Sequence, residues 1–434
     1  MRIATVLLTT FLAACAGGNP ETKEIVIGQF GSLSGGAATF GLSTRNGIEI
    51  ATLEQNAAGG IAGAQIRMVV EDDRSLPEEA ATAVNKLLSR DRPVALLGEV
   101  ASSSSLAAAP LAQAAGVPMI SPSSTSPKVT QVGDYIFRVC FIDPFQGTAA
   151  AQFAYNTKAV RTVAVLTDVK SDYSVGLAQY FKETFVSLGG TVIAEEAYSA
   201  NDLDFKAQLT NIVSKSPDAI FVPGYYTETG LIARQARDSG YKGILLGGDG
   251  WDSDKLVEIG QDAIVGGFYT NHYSVDDPSP IVQDFIKKYQ EKYGAKPDGL
   301  AALGYDSAKI LYQAMTTVAK NPAHAAAFAD RSAVPATEGA RKAARAALRD
   351  ELAGVKGFPG VTGTITIDKD RNAEKPAVVV EVTKDGPRFV ESISPGASAA
   401  PVPAEGAAAA PEAATATIEG APAPAEGAAP APAK

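Results

Sequence analysis

The chain has 434 residues, of which 46% are hydrophobic and 20% charged, a globular balance long enough for two lobes with their own cores. Its 38 basic and 48 acidic residues leave a formal net charge of −10, which gives it no electrostatic reason to bind nucleic acid or an anionic membrane surface. The two histidines, His272 and His324, lie far apart and no cysteine cluster accompanies them, so neither a zinc site nor any other metal site is expected.

Residues 1–14 read as a signal peptide: Arg2 supplies the basic end, and the apolar run over 3–12 is too short to span a bilayer. The ending Leu12-Ala13-Ala14-Cys15 resembles the lipobox of bacterial lipoproteins, in which the cysteine becomes the lipidated first residue. That makes 15–23 a lipidated linker and places the rest outside the cytoplasm, tied to a membrane through lipid alone. The alternative is an ordinary secretory signal with an incidental cysteine. With Cys15 lipidated, Cys140 has no disulfide partner and reads as a small buried apolar residue in YIFRVCF.

From residue 24 the pattern alternates strand and helix. IVIGQF at 25–30 is β-rich, 41–55 is an amphipathic helix, 66–70 a strand, and 77–90 a helix with Pro77 at its start. Strands over 94–98 and 117–120 flank a helix at 103–115. After 137–140 the rhythm restarts: helices at 145–156, 173–188, 205–214 and 228–239 alternate with strands RTVAVLTD, TVIAEEAYS, DAIFVPG and GILLGGDG. Short apolar strands separated by such helices imply parallel sheets covered on both faces, hence an α/β chain of two doubly wound lobes. A further strand at 264–270, helices at 280–293, 300–318 and 338–352, and β-type segments at 363–368 and 377–382 bring the chain back, which implies several crossings and a hinge. The expected division is 24–143 with 272–355 in one lobe and 144–271 with 356–389 in the other. The Ala/Pro-rich composition of 390–434 predicts a disordered tail.

Two hydroxyl-rich loops stand out, Ser102 to Ser105 after ALLGEV and Ser123 to Ser126 after PMIS. Serine hydroxyls beside the free amides of a helix start make a site for a carboxylate or phosphate. The plainer alternative is that SSSS is a helix cap and SPSSTSP a turn. Ligands in wound sheets bind beyond the carboxyl ends of the strands, and Ser102, Ser124, Tyr225 and Asp249 all fall there. No GxSxG elbow accompanies the serines and no GxxxxGK[ST] loop occurs, so the chain reads as a binding protein without catalytic residues or cofactor.

Taken together, GSLSGGAATFG, GGIAGAQIRMVVEDDRS, GEVASSSS, PMISPSSTSP, VPGYYTETGLIARQAR, GGDG and GVTGTITID resemble the type I periplasmic binding proteins, and among them the leucine/isoleucine/valine-binding components of ABC transporters. The resemblance implies two lobes joined by a three-crossover hinge, closing on an amino acid. It implies a monomer that passes its ligand to a membrane permease. By the same resemblance Ser102 and Thr125 donate to the ligand carboxylate, Ser123 offers its carbonyl to the ammonium and Ser124 forms part of the near wall. Phe40 lies against the ligand side chain, Tyr173 and Tyr225 cover it, and Asp249 takes the ammonium. Two departures bear on ligand identity: Asp249 is one methylene shorter than the glutamate commonest in the family, with Trp251 after it, and Ala101 replaces a cysteine that some members carry. A sensing role for an amide or an aromatic or short acid, reported to a membrane partner, is the alternative reading.

Overall fold

A computed structural model describes residues 23–329 and 336–396; the expected signal peptide, Cys15, and the tail beyond 396 lie outside the described residues. The first lobe is wound from β1 (Glu24–Gly31), α1 (Ala38–Ala57), β2 (Gln65–Asp72), α2 (Pro77–Lys86), β3 (Leu96–Leu97), α3 (Ser102–Ala115), β4 (Met119–Ser121), α4 (Lys128–Gln131) and β5 (Ile136–Arg138). All its strand pairs are parallel, in the order β2-β1-β3-β4-β5. Strand β1 is buried at every position after Glu24 because helices cover both of its faces. Helix α2 starts at Pro77 with Glu78 and Glu79 in its first turn, which suits the fixed proline φ and the positive helix end.

The second lobe repeats the scheme with α5 (Asp143–Gln152), β6 (Thr162–Asp168), α6 (Asp172–Ser187), β7 (Thr191–Tyr198), α7 (Lys206–Ser214), β8 (Ala219–Val222), α8 (Tyr226–Asp238), β9 (Ile244–Gly247), α9 (Asp254–Gly260) and β10 (Phe268–Asn271). Its parallel strands run β7-β6-β8-β9-β10, the same winding as the first lobe. In this order the chain reverses direction beside the first strand, leaving a crevice at the carboxyl ends of β1 and β3 and of β6 and β8. Those two crevices face one another.

Helices α10 (Pro280–Tyr293), α11 (Gly299–Val318), α12 (Pro322–Phe328) and α13 (Glu338–Ala353) return to the first lobe. Helix α11 crosses α1 so closely that a Cβ on Gly47 would lie 1.9 Å from the Ala301 carbonyl oxygen, and one on Gly304 2.3 Å from that of Thr44. Only glycine permits that approach. The chain then forms β11 (Phe358–Gly360), β12 (Gly363–Ile367) and β13 (Ala373–Glu374), a small antiparallel sheet, before β14 (Ala377–Thr383), antiparallel to β10, and β15 (Gly386–Ile393), antiparallel to β14, extend the second sheet.

The molecule is therefore a pair of doubly wound α/β lobes joined by three crossovers, at 139–142, 272–279 and 354–376. Two details differ from the sequence reading. The stretch 356–389 does not stay with one lobe: Asp306 of α11 accepts hydrogen bonds from Val361 N, Thr362 N and Thr362 Oγ1 at 2.7–2.8 Å, and Arg371 donates to the Thr130 carbonyl at 2.8 Å, so the small sheet is fastened to the first lobe. Strand β15 also runs on to Ile393, past the expected start of the tail, because its backbone pairs with β14 as far as Ala377. That pairing is long-range and leaves little mark on local composition.

Candidate functional site

A narrow cavity lies between the facing crevices, lined by Phe40, Val100, Ser102, Ser123, Thr125 and Leu300 from the first lobe and Tyr173, Tyr225, Asp249 and Gly250 from the second. Seven of the eight residues singled out in the sequence line it. Ser124 does not. Its hydroxyl is bonded to the Glu99 and Val100 carbonyls at 3.0 and 2.9 Å and to Ser105 Oγ at 2.7 Å, so it knits two loops together behind the cavity wall. In the alternating loop after β4, Ser123 and Thr125 face the cleft and Ser124 faces away. Val100, Gly250 and Leu300 were missed. Val100 and Gly250 adjoin functional positions, but Leu300 comes from a helix two crossovers away and carries no local signal.

One end of the cavity is lined by hydroxyls beside an uncapped helix start. Helix α3 begins at Ser102 with Ala101 as its cap, and no side chain caps it, so the serine run leaves the first-turn amides free rather than satisfying them. The Ser102 hydroxyl accepts from Ser126 N at 3.2 Å, and the Thr125 hydroxyl is buried with no hydrogen bond of ordinary geometry. An unpaired buried hydroxyl is costly unless a ligand supplies its partner. Arg138, fully buried, fixes this loop by donating to the Ser124 carbonyl and, at 2.7 Å, to that of Ser126. Glu99 lies just behind, accepting from Ser32 N and Oγ at 3.1 Å and from Ala101 N. Burial, with Asp73 nearby, pushes its carboxyl up to about 8. That shift favours its neutral form, which does not repel an anion at the helix start.

The other end carries a buried acidic side chain. Asp249 follows β9, and each of its oxygens meets one buried partner: Gln146 Nε2 donates to Oδ1 at 2.8 Å, and His272 Nε2 lies 3.0 Å from Oδ2. Gln146 Nε2 is itself held by Thr270 Oγ1 at 3.0 Å. The His272 ring stacks on Phe141, 3.7 Å between centroids. Burial draws it down to about 4, so the ring is neutral at pH 7 and its Nε2 proton is the one that points at Asp249. Neither Gln146 nor His272 was singled out in the sequence. Asp143 adjoins the same region, fully buried, with neither carboxyl oxygen hydrogen-bonded in ordinary geometry. Burial pushes it up to about 8, the Thr125 hydroxyl opposing, the Asp249 charge adding and Arg138 opposing.

Aromatic rings close the middle. Tyr173 and Tyr225 stack 5.4 Å apart with planes 4° from parallel, and Phe40 meets Tyr225 edge-on at 5.5 Å across the cleft. The Tyr173 hydroxyl accepts from Gly250 N at 3.1 Å. Burial raises both phenols well above their ordinary value, which keeps them as neutral donors. Among the described residues no group of three or more His, Cys, Asp or Glu is placed to hold a metal ion, and no helix is long and apolar enough to cross a membrane. Cys140 is buried and unpaired, its thiol pushed up to about 12 by burial. That leaves it unreactive.

Residues 24–387 match the family of periplasmic binding proteins. The Leu/Ile/Val-binding protein of Rhizobium johnstonii is 32% identical over 61% of this chain and 72% of its own length. Among solved structures, a leucine binding protein from Thermotoga maritima is 38% identical with a TM-score of 0.78, covering 86% of this chain and 99% of its own. A branched-chain amino acid transporter substrate binding protein from Streptococcus pneumoniae, in complex with isoleucine, is 32% identical with a TM-score of 0.76, covering 86% and 100%.

Proposed function

Because the chain belongs to the periplasmic binding protein family, we propose that it is the extracytoplasmic substrate-binding component of an ABC importer and that its cleft takes a branched-chain or closely related α-amino acid. The observation that carries this reading is the polarity of one small cavity: helix amides and hydroxyls of Ser102 and Thr125 at one end, the Asp249 carboxylate at the other, and Phe40, Tyr173, Tyr225 and Leu300 between. An α-amino acid presents the complementary groups in that arrangement. Its carboxylate meets Ser102 and Thr125, its ammonium meets Asp249 and the Ser123 carbonyl, and its aliphatic side chain lies against Phe40 and Leu300. Micromolar affinity needs only about −8 kcal/mol, which charge-assisted hydrogen bonds and one apolar wall supply.

The work done is binding and closure; ATP hydrolysis falls to the transporter. We further propose that residues 1–14 are removed as a signal peptide, that Cys15 carries the lipid, and that the chain acts as a monomer. The LAAC sequence supports the anchor. Titration calorimetry of the chain with leucine, isoleucine, valine and, for contrast, benzoate tests the ligand class. Micromolar or tighter binding of at least one aliphatic amino acid, and none of benzoate, is the expected outcome; the reverse preference would move the protein to the acid-sensing alternative.

A further inference from the structure

Four of the residues that line the cavity have a chain neighbour tied across the cleft to the opposite lobe. Thr39, beside Phe40, has its hydroxyl 2.9 Å from Ser253 Oγ, and its N–H 3.4 Å from the hydroxyl of Tyr226, which adjoins Tyr225. Ser103, beside Ser102, meets Asp172, beside Tyr173. This last pair is reciprocal: Ser103 Oγ donates to Asp172 Oδ2 and accepts from Asp172 N, both at 3.0 Å. Lys128 Nζ lies 3.5 Å from the other carboxylate oxygen. None of Ser103, Lys128 and Asp172 lines the cavity.

The geometry is that of a shared helix start. Ser103 is the second residue of α3 and Asp172 the first of α6, so two helix N-termini from different lobes point at one another. The Asp172 N–H is one of the amides a helix leaves unpaired, and Ser103 of the other lobe supplies its acceptor. The carboxylate sits where both positive helix ends and Lys128 favour it. Every one of these bonds requires the lobes to be together, since Ser103 and Lys128 belong to the first lobe and Asp172 to the second.

We propose that Ser103, Asp172 and Lys128 form a latch at the lip of the cleft, which holds the closed form shut without touching the ligand and so sets the rate at which ligand escapes. They are positioning residues for binding: encounter occurs with the lobes apart and does not use them, whereas release requires all three contacts to break. The proposal rests on the reading of the cleft as an amino-acid site for its kinetic consequence, but the latch itself has a signature that needs no ligand.

Amide hydrogen exchange of the full chain reads that signature. The Asp172 amide of the parent is expected to be protected, more so with saturating L-leucine, and Ser103→Ala to lose that protection. Alanine is a good helix former, so α3 survives the change. In stopped-flow mixing with L-leucine, followed through the single tryptophan, Trp251, Ser103→Ala and Asp172→Asn are each expected to speed escape about tenfold, the factor that corresponds to one hydrogen bond to a charged group. Association should stay within twofold of the parent. Ser103→Thr, which keeps the hydroxyl, should restore slow escape. Lys128→Ala should have a smaller effect that vanishes at high salt, as a screened surface pair does. Equal exchange at Asp172 in parent and Ser103→Ala, or escape rates unchanged in both Ser103→Ala and Asp172→Asn, would overturn the latch. Failure of leucine to bind the parent would instead overturn the ligand reading, with the exchange measurement still deciding the latch.

Discussion

The two ends of the cavity are made in opposite ways. The anion end is local: free amides at the start of α3, Ser102 beside them, and Thr125 one loop away, all in a stretch of the first lobe shorter than thirty residues. The cation end is assembled from afar, with Asp249 after β9, Gln146 on α5 and His272 on the second crossover. A carboxylate shut inside a cleft needs donors placed around it, and here they come from elements that only the fold brings together. The hydroxyl end offers a ligand dipoles that are free in any helix start. The carboxylate end therefore has more to lose from a single substitution.

That difference orders the expected losses. Asp249→Ala removes the only acid among the described residues that line the cavity and leaves a bound ammonium without its partner. Breaking such a desolvated pair costs about 3–5 kcal/mol, roughly a hundred- to several-thousand-fold in affinity. Calorimetric titration with leucine checks it, and a loss under tenfold would show that another group takes the ammonium. At the hydroxyl end, Ser102→Ala and Thr125→Ala should each weaken binding by about 1.5–3 kcal/mol, the usual worth of a hydrogen bond to a charged group. Melting of the ligand-free chain should move little in the Thr125 variant, whose hydroxyl makes no hydrogen bond of ordinary geometry and meets only the Asp143 carboxyl. If the double variant bound leucine as the parent does, the carboxylate would lie elsewhere.

Ser124→Ala sharpens the comparison from within one loop. Its hydroxyl serves the Glu99 and Val100 carbonyls, so the substitution should lower stability by about 1–3 kcal/mol in urea unfolding and leave leucine affinity within about twofold. The reverse outcome would return Ser124 to the cavity wall.

The buried carboxyls give a further, smaller effect. Glu99 and Asp143 are pushed up to about 8 by burial, whereas in the unfolded chain such groups ionise near pH 4. Between those values the folded chain holds more protons than the unfolded one, so stability should fall as pH rises from about 4 to 8. Asp143→Asn, which removes one of these groups, should flatten the fall and raise the melting temperature at pH 9 by roughly 2–4 °C over the parent. A calorimetric melting profile that kept its parent slope in the variant would show Asp143 to be ionised in the folded chain.

What could be read from the sequence follows the same division. The repeated strand and helix rhythm carried the two wound sheets because each element is marked locally by its own apolar run and punctuation. It carried the cavity residues that sit directly at strand ends. It could not separate Ser124 from Ser123 and Thr125, because which way a loop residue turns is decided by contacts such as those of Ser105 and Glu99. Gln146, His272 and Leu300 were invisible for a related reason: nothing in DPFQG, NHYS or DGLAA marks a site until the crossovers bring them to the cleft. The division of 358–374 from 377–393 likewise hangs on Asp306, half a hundred residues away.

If Asp249 and the α3 helix start together recognise an α-amino acid, removing the ammonium from the ligand abolishes half of that recognition and leaves the protein untouched. Titration calorimetry of the parent chain should compare L-leucine with 4-methylpentanoate, which keeps the carboxylate and the side chain. Leucine is expected to bind at least a hundredfold more tightly, the lower end of the cost of leaving a buried carboxylate without its partner. Equal affinity for the two would contradict it, because the ammonium would then have no acceptor in the cleft.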